Sequence, residues 1–246
     1  MVMKMRIRMK KALNNLIANN FAIHFAKSSE VACKIILDMI SKDVVVGIGD
    51  SATVRQIGIL KKLEKARIKI LNPFSRKLTT DPSKREMRYK ISREIFTSDV
   101  LITGTNAVTV DGKLVNMDAV GNRVAAMIFG PKKVIIAIGR NKIVKDVEEA
   151  LHRIKNVIAP HHARTKDFGT PCVQTGKCSD CSSKHRICNV TTIIEKRPWQ
   201  TDITIIVIDE DLGLSWDEKW QDDRIGKIRS NYEKVTWVFA SSFQPK

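Results

Sequence analysis

Four short runs of aliphatic, mostly β-branched residues constrain this chain more than any other feature. They are Val44-Val-Val-Gly-Ile-Gly, Val100-Leu-Ile-Thr, Lys133-Val-Ile-Ile-Ala-Ile-Gly and Ile203-Thr-Ile-Ile-Val-Ile. A strand with one wet face alternates apolar and polar residues, so strands this uniformly apolar must be covered on both faces. Between them lie segments with apolar residues three and four apart: Val54, Ile57, Ile59 and Leu60 in one, then residues 84–96 and 146–157. Strands alternating with helices predict an α/β fold with a mostly parallel sheet. Val108 to Asn116 reads as a hairpin, with Asp111-Gly112 as its turn. Thr191 to Glu195 and Ile203 to Ile208 read as a final strand pair. Upstream, Leu13, Leu16, Ile17, Phe21 and Phe25, then Val31, Ile35, Ile36 and Met39, predict helices over residues 9–40, with Ser28 or Ser29 capping the second.

Four of the five cysteines, Cys172, Cys178, Cys181 and Cys188, fall within seventeen residues in the pattern C-x5-C-x2-C-x6-C. Thiolates this dense hold an iron–sulfur cluster or a structural zinc; two disulfides would need an oxidising compartment. The basic N-terminus has no apolar run long enough for a signal-peptide core, and no stretch of about 18 uncharged apolar residues could span a bilayer. A cytoplasmic protein is expected, in which metal binding is favoured over disulfides. Four thiolates satisfy a [4Fe–4S] cluster, with Cys178 and Cys181 as the close pair. Zn fits the same ligands, although zinc ribbons use two close pairs and this segment has one. Lys177, Lys184 and Arg186 would stabilise thiolates. His161, His162 and His185 are alternate ligands, and Cys33, on an apolar helical face, reads as packing.

The formal net charge of +17 invites a nucleic-acid reading. Its Lys and Arg residues are spread along the whole length, and outside the C-terminal tail no basic tract is interleaved with aromatics. Nucleic acid is therefore not expected as the main partner, whereas the long-range field favours a small anionic ligand.

Three segments carry the remaining polar chemistry. Gly47-Ile-Gly49-Asp50-Ser51-Ala-Thr53 ends a strand and starts a helix, so either its glycines admit a ligand to the backbone and the hydroxyls add donors, or the glycines make a turn and Asp50 or Ser51 caps the helix. It is not a Walker A loop, since no Gly-Lys-Ser/Thr follows. The strand at Ile68 to Leu71 also ends without the acidic residue of a dinucleotide site. Gly104-Thr105-Asn106 follows another strand at the carboxyl end, where open α/β sheets bind ligands. Asp118, Asn122 and Arg123 group a carboxylate, an amide and a guanidinium. Asp118 is either a catalytic general base, or the partner of Arg123 and a helix cap.

The block Thr103-Gly-Thr-Asn-Ala-Val-Thr-Val-Asp-Gly-Lys-Leu-Val-Asn, with Asp118 and Gly121-Asn-Arg-Val-Ala-Ala, resembles the LUD (lactate utilization) domain family, also called DUF162. Gly130-Pro-Lys-Lys-Val-Ile, Ile138-Gly-Arg-Asn-Lys-Ile-Val and the Gly47 loop fit the same pattern, over about residues 10–215. The resemblance implies a three-layer α/β/α fold similar to the sugar-phosphate isomerase and coenzyme A transferase superfamily, with ligand loops at one edge. It also implies association with oxidation of L-lactate to pyruvate beside iron–sulfur and flavin-type partner subunits. Ligand roles carry over to Gly47–Thr53, Gly104–Asn106 and Asp118–Arg123. The C-x2-C-x2-C-x3-C motifs of the family's larger subunits are missing from this sequence.

The organisation expected is thus N-terminal helices over 1–42, a LUD-like core over 43–159 and 191–215, a four-cysteine metal-binding insertion over 160–190 and a tail over 216–246. The expected protein is an oxidoreductase component. It would hold a [4Fe–4S] cluster in a small cysteine-rich loop module and bind a carboxylate or phosphate, with hydride chemistry left to a redox partner subunit. The alternatives are an isomerase- or transferase-like enzyme with a structural zinc, and a non-catalytic binding or regulatory protein.

Overall fold

A computed structural model describes residues 2–240, with side chains from residue 7 onward. Ten strands form two sheets: β1 (Ala22–Ala26), β2 (Val45–Ile48), β3 (Lys69–Leu71), β4 (Val100–Thr103), β5 (Ala107–Thr109), β6 (Leu114–Asp118), β7 (Lys133–Gly139), β8 (Ile143–Val144), β9 (Val190–Ile194) and β10 (Asp202–Ile208). The larger sheet has the order β1-β10-β7-β4-β2-β3, and every pair in it is parallel. The mixed α/β architecture with a mostly parallel sheet is therefore as the apolar runs predict.

Strand pleating sends alternate residues of these runs to opposite faces. Leu101, Val134, Ile136, Ile138, Ile203, Ile205 and Val207 enter one buried cluster; Val46, Ile48, Ile102, Ile135, Ala137, Ile206 and Ile208 enter another. The helix Ser29–Asp38 (Ala32, Cys33, Ile36) and the helix Ile59–Lys65 (Ile59, Leu63) cover the second face. Each fully buried Val, Leu or Ile side chain contributes about 1.5–3 kcal/mol, which is why both faces must be covered.

The first face is covered differently. The helix Val2–Ala18 lays Met9, Ala12 and Leu16 on it, and the smaller sheet, in the order β8-β5-β6-β9, adds Val108, Leu114, Ile143 and Ile194. The far side of that small sheet is buried too. Ala107, Val115, Met117 and Val144 meet Ile154, Val157, Trp216, Ile228 and Tyr232 in a third cluster.

Two sequence expectations are corrected. The helical stripe predicted over residues 9–40 breaks at Asn20, whose positive φ of 65° ends the first helix, and Ala22–Ala26 becomes the edge strand β1. Its Phe21 and Phe25 matched a helical spacing only by coincidence with the preceding turn. The two last strands do not pair: β9 joins β6 antiparallel, while β10 lies between β1 and β7. The cysteine segment packs on the rest of the chain. Cys178 donates its N–H to Asn156 Oδ1 at 3.2 Å, Arg164 donates to Val173 O at 2.8 Å, and Cys188 packs against the third cluster.

The helix predicted to end near Val157 instead runs on. An α-helical turn, Val147–Arg153, passes into a π-helical segment, Ile154–Ile158, and then into Ala159–Thr165. Pro160 supplies the cause, because its ring would strike the carbonyl of Asn156 in a regular helix and it has no N–H to give. The wider turn lets Ala159 donate to Ile154 O instead. The predicted hairpin forms, with Gly112 at φ 82° in its turn, and Ser28 caps the second helix through the Val31 N–H. In the tail, residues Asp222–Glu233 are helical, and its last six residues lie outside those described. Among the described residues no helix is long and apolar enough to cross a membrane.

Candidate functional site

The carboxyl ends of β2, β4 and β7 lie side by side, and the loops that leave them meet. Two glycines set how closely they meet. A Cβ on Gly49 would fall 2.3 Å from Thr103 Oγ1, and one on Gly104 would fall 2.6 Å from Ser51 Oγ. The glycines of both loops therefore make loop–loop contact with hydroxyl side chains. Ser51 also caps the helix Ala52–Gln56, accepting from the Val54 N–H at 3.3 Å. Gly47 lies within β2 against Ser98 and Ile95.

Arg123, in the first turn of the helix Asn122–Ile128, ties the loop that leaves β4 to β6. Its Nη1 donates to Asn116 Oδ1 at 2.9 Å and to Gly104 O at 3.2 Å. Its Nη2 donates to Met117 O at 2.9 Å and to Asn106 Oδ1 at 3.1 Å. Its Nε lies 3.2 Å from Asp118 Oδ2, and Asp118 Oδ1 accepts from the N–H groups of Val120 and Gly121 at 3.1 and 3.0 Å. Thr105 Oγ1 completes the knot by donating to Asn116 Oδ1 at 3.0 Å. The structure thus brings together Gly104, Thr105, Asn106, Asp118 and Arg123, and leaves Asn122 half-buried at the start of the helix. Both Asp118 oxygens are engaged, and Arg123 spends its donors inside the protein. The ion pair and turn cap are the geometry found for Asp118.

One residue that sequence reasoning missed sits beside this knot. Lys142, just beyond β7, is 7% exposed, and its Nζ donates to Thr105 O at 2.8 Å. Desolvation, then the neighbouring Arg123 charge, pushes its pKa down to about 7. The positive-φ Gly213 closes over it, where a Cβ would lie 3.0 Å from Lys142 Nζ and 2.6 Å from Thr53 Oγ1. Thr53 Oγ1 is buried without a hydrogen-bond partner among the described residues. Lys142 lies in the Ile138-Gly-Arg-Asn-Lys block on which the family resemblance rests; that was the available signal.

Asp50 points into a second polar cluster. It pairs with Arg55, and although burial opposes its charge, Arg55, Lys166 and His162 hold its pKa well below the usual carboxylate range. His162 Nδ1 lies 2.5 Å from the Tyr232 hydroxyl, and burial followed by Lys166 lowers its pKa to about 4, so the ring is neutral. Burial raises the Tyr232 pKa. Lys166 is 1% exposed, and burial lowers its pKa to about 8.

Cys172, Cys178, Cys181 and Cys188 all line one hollow, with Lys155, Ala159, Thr170, Ser179, Arg186 and Ile187 completing its wall. All five cysteines are free thiols, and Cys33 is buried in the second core cluster. Burial, followed by the field of Cys178, pushes the Cys188 thiol up to about 11. Arg186 donates to Cys181 O at 2.6 Å, and Asp180 N donates to Cys178 Sγ at 3.4 Å. As placed, no group of three or more His, Cys, Asp or Glu side chains among the described residues stands at ligating distances. The donor set nevertheless fits a four-thiolate centre in number and softness, since four sulfurs share one hollow with two cations on its wall. The three histidines are elsewhere: His161 against Trp216, His162 with Tyr232, and His185 accepting from Gly169 N. The helix Ala159–Thr165 separates the two regions, with Ala159 on the thiol side and His162 on the Asp50 side.

A parallel sheet with polar loops gathered at the carboxyl ends of adjacent strands defines an open α/β domain. The LUD domain family model matches residues 9–208, and the chain belongs to that family, also known as DUF162. Among solved structures it is similar to a DUF162 family protein from Deinococcus radiodurans, at 12% identity and a TM-score of 0.44, covering 83% of this chain and 98% of that one. It is also similar to ribose 5-phosphate isomerase from Plasmodium falciparum, at 14% identity and a TM-score of 0.35, covering 87% of this chain and 89% of that one. No curated protein matches the chain.

Proposed function

We propose that this LUD-domain protein is a cytoplasmic, redox-associated component that binds a small organic anion and carries a four-thiolate centre, [4Fe–4S] or, alternatively, Zn. The convergence of Cys172, Cys178, Cys181 and Cys188 on one hollow carries this reading. These residues would hold the centre, and a bound iron–sulfur cluster would supply single-electron transfer. The chain's own residues do the rest. The Arg186 charge favours the Cys188 thiolate, and the Arg123 knot fixes the Gly104–Asn106 loop at the strand ends that receive the anion. Lactate or a related organic acid is the substrate class the family implies. A hydride acceptor would be held by a redox partner subunit.

The test is anaerobic purification with iron, sulfide and zinc analysis. A brown protein absorbing near about 400 nm supports the reading; a colourless protein holding neither iron nor zinc overturns it. Cys181→Ser should lower metal content sharply, and unchanged content would remove Cys181 from the ligand set.

Lys142 favours a second reading, an isomerase- or transferase-like enzyme in which the thiolates hold only a structural zinc. A buried amine with a pKa pushed to about 7, beside an unpartnered Thr53 hydroxyl, is suited to proton transfer at neutral pH. Zinc without iron, together with loss of turnover in Lys142→Met, would establish it.

A further inference from the structure

The Asp50 cluster holds a buried positive group that makes no ion pair among the described residues. Lys166 is almost fully buried, yet its Nζ has no hydrogen-bond partner among the described residues. Burying an ammonium without an acceptor is costly, and such groups ordinarily find a carboxylate or an anion. Asp50 is the carboxylate whose field reaches Lys166, and its own ion pair is with Arg55. Arg55 and Arg88 both repel the Lys166 charge, so the three cations converge on a common region. His162, being neutral, contributes no charge, and Tyr232 contributes a protonated hydroxyl.

Aromatic faces cover these cations. The segment 235–240 crosses the cluster, fixed by Trp237 Nε1 donating to Thr79 Oγ1 at 2.7 Å and by Ala240 N donating to Thr79 O at 2.9 Å. Lys166 Nζ stands 3.7 Å from the Phe239 ring centre and 5.3 Å from that of Trp237. The Arg55 guanidinium stands 4.9 Å over Trp237, and that of Arg88 5.5 Å over Phe239. An aromatic face attracts a cation through its quadrupole but offers no oxygen lone pair to an N–H donor. The rings thus compensate the cations only in part.

We infer that Lys166, Arg55 and Arg88 form an oxyanion site for the phosphate group of a ligand, with Trp237 and Phe239 as its cover. This deepens, and rests on, the reading of the Gly47–Thr53 loop as an anion site, because Asp50 and Arg55 belong to that loop and the helix that follows it. Phosphate is favoured over a lone carboxylate because three cations set against the one Asp50 carboxylate leave a positive excess that matches a charge of about −2 with three acceptor oxygens. The ligand takes the place on Lys166 that the Phe239 ring now holds, so binding moves the 235–240 segment.

The full chain is titrated with inorganic phosphate, and in parallel with lactate, by calorimetry and tryptophan fluorescence at fixed ionic strength. Phosphate should bind saturably at one site and change the fluorescence, and Trp237→Phe should abolish that change. Lys166→Met should weaken phosphate by at least about tenfold, the loss expected for one charge-assisted hydrogen bond, while Lys166→Arg should stay near wild type. If Lys166→Met does not fold, comparison of wild type with Trp237→Phe still decides the matter. Absence of saturable phosphate binding, equal binding in Lys166→Met, or a phosphate response that survives in Trp237→Phe would each overturn the inference. Lactate binding without phosphate binding would overturn it too, while leaving the broader anion reading and its metal test intact.

Discussion

At the scale of single residues, the polar knot around Arg123 is a positioning device. Its guanidinium and the Asp118 carboxylate are each about one-tenth exposed, and together they join the Gly104–Asn106 loop, β6 and the turn at Val120 and Gly121. Removing one partner leaves a buried charge and several carbonyls without donors. Arg123→Met should therefore cost about 3–5 kcal/mol in urea unfolding, whereas Asp118→Asn, which keeps an oxygen for the turn, should cost about 1–2 kcal/mol. A loss under about 1 kcal/mol for Arg123→Met would contradict this role. Lys142 makes the opposite kind of claim. Its folded pKa is about 7 against an ordinary 10.5, so between those values the folded protein binds fewer protons than the unfolded chain. Stability then rises with pH across that window and falls as pH drops from about 10.5 to about 7. Lys166 acts in the same sense between about 8 and 10.5. Lys142→Met should flatten the slope of unfolding free energy between pH 7.5 and 9.5 in urea titrations; an unchanged slope would refute the burial argument. Sequence made Gly104, Asn106, Asp118 and Arg123 visible because they cluster in a contiguous block. It hid Lys142 and Lys166, which look like two more surface lysines in a chain with 43 basic residues until the fold buries them.

At the scale of elements, the uniform apolar runs were legible because both-face burial leaves a mark in composition, and all four became strands of one sheet. The edge strand β1 was not legible. An edge strand half-open to solvent needs no apolar run, and Ala22-Ile-His-Phe-Ala has no clear period. The break at Pro160 was misjudged for a different reason. Proline usually ends a helix, but here the π-helical turn absorbs it, since packing of Ile154, Val157 and Ile158 against Trp216 and Tyr232 holds the helix together. That turn also presents Asn156 to the Cys178 N–H. Pro160→Ala removes the clash with the Asn156 carbonyl and should let the segment tighten toward an α-helix, drawing Asn156 away. The Cys178 N–H should then exchange faster with deuterium, and the Cys178 thiol should alkylate faster than in wild type. Unchanged exchange and alkylation would show that the loop is held without Asn156.

At the scale of the molecule, the thiol hollow joins parts that are distant in sequence. Its wall draws on the π-helical turn through Lys155, on the following helix through Ala159, and on residues 170–188, which lead directly into β9 of the small sheet. A centre bound by all four thiolates would therefore tie the third core cluster to the edge of the small sheet rather than stiffen a free loop. A ligand that binds only the folded state stabilises it in proportion to the logarithm of its saturation, and metal held by four thiolates is strongly linked to folding. For a domain of this size each 1 kcal/mol moves the melting temperature by about 2–4 °C. Loading the reduced protein with iron and sulfide, or with zinc, should thus raise its melting temperature by about 5 °C or more, and removal of metal by a chelator should reverse the gain. Cys188 gives the sharpest control, because burial keeps its thiol protonated up to about pH 11 when no metal is present. Cys188→Ser should lose the metal-dependent gain, at a cost of about 1–3 kcal/mol to the apoprotein because a hydroxyl then packs against the apolar third cluster. Melting temperatures that rise equally in Cys188→Ser and wild type would place the metal somewhere other than this hollow.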